Sequence, residues 1–63
     1  PTYTFHRDDV FYPLDLADDE DACRNADCNE GTIRVVRWDR RGDTTVWDHG
    51  VWRSPPHRDP GEG

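Results

Sequence analysis

Thr32-Ile33-Arg34-Val35-Val36-Arg37-Trp38-Asp39-Arg40-Arg41-Gly42-Asp43-Thr44-Thr45-Val46-Trp47 decides the fold of this 63-residue chain. Alternation from Thr32 to Trp38 puts Ile33 and Val35 on one side and Arg34, Val36 and Trp38 on the other, as a strand requires. Asp39 to Asp43 has turn composition, with Gly42 free to take a positive φ, and Thr44 to Trp47 returns antiparallel. Val46-Trp47 and Val51-Trp52 flank Asp48-His49-Gly50, which predicts a three-residue loop and a short last strand.

Upstream, Thr2 to His6 alternates polar and apolar, Arg7-Asp8-Asp9 supplies a turn, and Val10 to Leu16 resumes with Tyr12, Leu14 and Leu16 in phase. This is a second hairpin, and Pro13, lacking an amide donor, favours an edge or a bulge for its second strand. Between the hairpins, Ala17 to Gly31 reads as one helix. Asp18 is its N-cap, Asp19, Glu20 and Asp21 suit the positive end of the helix dipole, and Gly31 supplies a left-handed stop. Ala22, Cys23 and Ala26 share a narrow face of small side chains that lets the helix lie close on a sheet. The order is β-β-α-β-β, with a fifth short strand if Val51-Trp52 pairs. That is an α+β fold, a single small antiparallel sheet with one helix on one face. Residues 1–53 form the domain, and 54–63 a Pro/Gly-rich flexible tail.

A chain this short buries only about 60% of its unfolded surface, so its core is small. Tyr3, Phe5, Val10, Phe11, Tyr12, Leu14, Leu16, Ile33, Val35, Val36, Trp38, Val46, Trp47, Val51 and Trp52 are its large apolar candidates. No apolar run reaches the roughly 18 residues of a membrane span, and no signal-like segment precedes the first strand; the expectation is a soluble cytoplasmic protein.

Charge is segregated. Nine carboxylates fall between Asp8 and Glu30 against one base, Arg24, whereas residues 31–58 carry six arginines against three aspartates. One strongly negative region is expected, a field that recruits basic partners and repels nucleic acid. Helix capping accounts for Asp18 to Asp21, and Glu20 and Asp27 stand at helical spacing from Arg24. Asp27 and Glu30, however, fall near the negative end of the helix, where the dipole disfavours acids, and Asp8 and Asp9 exceed the needs of a turn. Asp8, Asp9, Asp18, Asp19, Glu20, Asp21, Asp27 and Glu30 are therefore the candidate partner-binding residues. Such an array can stand in for phosphates in a basic groove, or it can serve as a solvated face that aids solubility.

Other chemistries fare worse. Cys23 and Cys28 lie five apart, too far for a disulfide within regular helix, and with scattered histidines they lack zinc-ligand spacing. The acidic stretch lacks a calcium loop's glycine hinge. There is one serine, no lysine and no phosphate-binding glycine loop, so neither an enzyme nor a cofactor or metal is expected. Arg41-Gly42-Asp43 matches an integrin-binding tripeptide, but a hairpin turn explains each residue. The tryptophans with Arg34, Arg37, Arg40 and Arg41 suggest a single-strand stacking platform, against which the net charge of −6 argues.

With its acidic helix between Leu-Asp-Leu and Gly-Thr-Ile-Arg-Val-Val, and its opening Thr-Tyr-Thr-Phe, the chain resembles the very small acidic proteins of phages and mobile elements. Among these it resembles type I anti-CRISPR inhibitors in the organisation and charge of residues 2–52. The resemblance implies a monomeric, DNA-mimicking inhibitor of a Cascade-type effector in a bacterial host. It transfers no individual residue. A module that binds through a sheet edge or apolar surface is the alternative.

Overall fold

Thr2 to His6 finds strand partners on both sides. In the computed structural model, which describes residues 1–53, β1 (Thr2–His6) pairs antiparallel with β2 (Phe11–Asp15) and with β3 (Arg34–Asp39). A helix, α1 (Asp19–Cys28), joins β2 to β3, and β4 (Gly42–Asp48) and β5 (Val51–Trp52) complete the sheet. The strand order is β2-β1-β3-β4-β5. The fold is α+β, one antiparallel sheet with a helix across one face, and the fifth strand pairs through Trp47↔Trp52 and Asp48↔Val51. The Pro/Gly-rich stretch 54–63 lies outside the described residues.

Alternation along each strand decides what the helix covers. Tyr3, Phe5 and Val35 face it and are fully buried, and Ala22, Cys23 and Ala26 meet them from the helix. These small side chains let the backbone of α1 approach the sheet closely. Phe5 and its cross-strand partner Tyr12 stack with centroids 5.9 Å apart at 7°.

In β4 the alternation breaks. Val35 pairs with Trp47 but Val36 with Thr45, so Val46 is an extra residue in a bulge. The bulge turns two successive side chains toward the helix, and Val46 and Trp47 are 0% and 5% exposed.

Several boundaries differ from expectation, among them β2, which is Phe11–Asp15 and not Val10 to Leu16, and β4, which is Gly42–Asp48 and not Thr44 to Trp47. The helix ends at Cys28, with Asn29 as an extended C-cap whose amide reaches Ala26 O, so Glu30 and Gly31 lie beyond it. Gly31 keeps a positive φ of 97°, and a side chain there would collide with the Arg7 guanidinium. The third strand starts at Arg34 and runs to Asp39 rather than spanning Thr32 to Trp38. The last loop has two residues, His49 and Gly50, both with positive φ, the backbone a tight hairpin needs to match strand twist. The core is also smaller than the candidate set. Val10, Phe11, Leu14, Trp38, Val51 and Trp52 are exposed, because a single ten-residue helix covers only the middle of one sheet face.

Candidate functional site

The N-terminal acids of α1 build the helix before they do anything else. Asp18 Oδ1 accepts the amide of Asp21 at 2.9 Å, and Asp21 Oδ2 accepts that of Ala17 at 3.3 Å, satisfying two amides that the helix cannot. Glu20 pairs with Arg24 at 2.5 Å, as the spacing predicts.

Asp19 does more. Its Oδ1 accepts the Tyr3 hydroxyl at 2.6 Å and its Oδ2 the Arg37 guanidinium at 2.5 Å, tying the helix to β1 and β3. Arg37 continues to Asp39, which also accepts from the Thr44 hydroxyl. These bonds hold the Asp39 carboxyl below the usual carboxylate range, Arg37 first and Thr44 second. Burial, then the hydrogen bond to Asp19, pushes the Tyr3 phenol well above its ordinary value.

Asp27 corrects the sequence reading most directly. It does not pair with Arg24, and it does serve the fold. Its two oxygens accept the indole N–H groups of Trp47, at 3.0 Å, and Trp52, at 2.9 Å. One carboxylate thus anchors the far end of the helix to both strands of the last hairpin. Its unfavourable place near the helix C-terminus is offset by charge-assisted bonds to donors from another part of the chain.

Three of the eight candidates take no such part in the fold. Asp8 and Asp9 at the β1–β2 turn and Glu30 after the helix are exposed and, among the described residues, make no side-chain hydrogen bond or ion pair. They share one end of the molecule. Arg7 Nη2 donates to Glu30 O at 3.0 Å, and Ile33 N to His6 O at 2.8 Å, holding the turn beside the loop that follows the helix. Asp18, Asp19, Glu20 and Asp21 sit at the opposite end, one helix length or about 15 Å away. The single negative region expected from the sequence is therefore two. At the end holding the helix N-terminus, Glu20 is paired with Arg24 and Asp19 with Arg37, which Asp39 shares, and that end lies beside the β3–β4 turn that carries Arg40 and Arg41.

Cys23 is buried beneath the sheet and Cys28 is exposed, both as free thiols. Cys23 Sγ donates to Val46 O at 3.4 Å. Burial, and then the charges of Asp19 and Asp27, push its thiol from 9.0 up to about 11. A thiol reagent at pH 8 should label Cys28 promptly and Cys23 only on unfolding. The raised value also signs the pH dependence: its stabilising contribution is complete below the unfolded thiol's pKa and fades as pH climbs through 9 toward about 11. Urea midpoints that stay level from pH 7 to 11 would contradict this.

Among the described residues, no three His, Cys, Asp or Glu side chains gather as a metal ion needs, and no helix is long and apolar enough to cross a membrane. The Arg41-Gly42-Asp43 tripeptide runs from the β3–β4 turn into the start of β4, with Gly42 at φ 136°. Beside it is a shallow hollow lined by Arg37, Asp39, Arg40 and Thr44, whose charges of both signs define no ligand. No family model, curated protein or solved structure matches the chain.

Proposed function

We propose that the protein is a non-catalytic binding module whose acidic end occupies a basic, nucleic-acid-binding surface of a partner, as a substitute for phosphates. One observation carries this reading: Asp8, Asp9 and Glu30 are brought together from two distant segments while serving no hydrogen bond or ion pair of the fold among the described residues. Charge held where folding does not use it repels itself, and a partner of opposite sign relieves the repulsion. Exposed Val10 adjoins these acids and supplies an apolar contact among them. Resemblance to small acidic mobile-element proteins narrows the partner to a type I CRISPR effector of the Cascade kind. The partner's DNA channel would be the surface occupied, in the cytoplasm of a bacterial host.

Asp27 is unsuited to the test, because its loss frees two indole donors. The informative variant reverses Asp8, Asp9 and Glu30 to lysine. In a competition against target DNA for a purified Cascade-type effector, the parent should displace DNA, and the triple variant should need roughly tenfold more protein and show a flatter salt dependence. Equal competition by both at every salt concentration removes the phosphate-mimic mechanism. No displacement by the parent removes the effector as partner.

The exposed apolar side chains on the uncovered sheet face favour a second reading, an interaction module that binds through that face. Such binding would tolerate salt and ignore the triple reversal.

A further inference from the structure

The sheet has one face without a helix, and strand register maps that face row by row. Pairing of His6 with Phe11 and Arg34, of Arg34 with Asp48, and of Asp48 with Val51 gives a first row across all five strands: Phe11, His6, Arg34, Asp48, Val51. The second row is Pro13, Thr4, Val36, Thr45 by the same pairings. Trp38, paired with Asp43, heads the third, which Thr2 and Asp15 complete. Phe11, Trp38 and Val51 are 69%, 54% and 55% exposed. The Trp38 indole donates to Thr4 Oγ1 at 2.5 Å, which lays the ring across β1 and satisfies its only polar atom. His6 and Phe11 pack with ring centroids 5.5 Å apart. Five of its positions, Phe11, Pro13, Val36, Trp38 and Val51, are apolar, and exposed apolar side chains gathered on one face among polar neighbours mark an interaction site.

We propose that a second copy of the chain covers it, in a symmetric face-to-face dimer whose two-fold axis runs along β3. The face is self-complementary about that line. Because β3 is the central strand, the rotation sets β2 over the partner's β5 and β1 over its β4. Phe11 then meets Val51, His6 meets Asp48, Thr4 meets Thr45, and Val36 and Trp38 each meet themselves.

The one adverse pairing, Arg34 on Arg34, is flanked by the Asp48 of each chain, which sits beside Arg34 in the same row. Two sheets stacked at about 10 Å would leave the helices on opposite outer surfaces. The acidic helices of a chain of net charge −6 are then as far apart as the fold permits. The face measures about 20 by 17 Å from strand spacing and rise, below the size of a stable interface, so association should be weak and concentration-dependent with a Kd on the order of 0.1 mM.

This interface leaves Asp8, Asp9 and Glu30 free and stands or falls apart from the acidic-end reading. Sedimentation of the full chain from about 1 µM to 1 mM should show mass rising from one chain toward two. In a sample mixing isotope-labelled and unlabelled chains, the Phe11 ring should give intermolecular Overhauser contacts to the Val51 methyls. Within one chain those residues lie on opposite edge strands, about 19 Å apart at four strand spacings, beyond reach of that effect. Phe11→Asp should raise the midpoint concentration at least tenfold, and Trp38→Arg, on the same face but away from the edge, should do likewise; Glu20→Gln should not.

A mass of one chain at 1 mM overturns the proposal, as does a dimer whose intermolecular contacts come from the helix side. Solvent protection of Trp38 in a species of one-chain mass also overturns it, since another part of the chain would then cover the face.

Discussion

Phe5→Ala should leave the chain largely unfolded at 25 °C, seen as loss of the far-ultraviolet and aromatic circular dichroism signals in buffer alone. Phe5 is 0% exposed on the central side of β1 and stacks on Tyr12, so truncation removes buried apolar surface and leaves a cavity. A buried Phe to Ala change costs about 3–5 kcal/mol. A single core in a chain this small rarely supplies more than about 3–5 kcal/mol in total. The two quantities are equal in size, and that decides the outcome. Phe5→Leu, which restores most of the volume, should fold and melt below the parent. A cooperative unfolding transition in Phe5→Ala with a midpoint near the parent's would mean that the contacts around Tyr3, Phe5 and Val35 are not the centre of stability.

Asp19→Ala should cost about 3 kcal/mol, the second largest effect of a single substitution. The carboxylate receives the hydroxyl of buried Tyr3 and the guanidinium of Arg37, and hydrogen bonds to charged groups contribute roughly 1.5–3 kcal/mol each. Arg37 is spared the worst of the loss, since it keeps Asp39 and its side chain is 30% exposed. Tyr3 is not spared, because its hydroxyl loses its acceptor in a fully buried residue. Tyr3→Phe alone removes donor and need together and should cost less, about 1 kcal/mol. A double-mutant cycle on Tyr3 and Asp19, followed by urea unfolding, should give a coupling of about 1 kcal/mol or more. Additive effects would mean the pair contributes nothing jointly.

The aspartates of α1 and its cap show how far the acidic stretch was legible. Asp18 and Asp21 could be read as helix capping because their partners lie three and four residues away, and Glu20 could be assigned to Arg24 by helical spacing. Asp19 and Asp27 could not. Their donors, Tyr3, Arg37, Trp47 and Trp52, lie 16 to 25 residues away along the chain. No local pattern marks such pairings, and Asp27 looked surplus to stability because helix-dipole logic weighs only its own helix. The signal that was present lay in the tryptophans: an indole N–H packed against a small core needs an acceptor, and the carboxylates of the neighbouring helix are the acceptors that Trp47 and Trp52 find.

By itself the sequence determined the kind and order of the elements, since apolar period, turn residues and caps act over a few residues: two hairpins, an intervening helix, and the last strand at Val51-Trp52. Tertiary structure decided strand order, the bulge that buries Val46 and Trp47 together, and which apolar residues are core. Phe11 and Trp38 alternate as cleanly as Phe5 and Val35. Only the placement of α1 across one side of the sheet separates the buried set from the exposed one. That placement also divides the carboxylates between two ends, because the helix carries its two termini toward opposite ends of the strands.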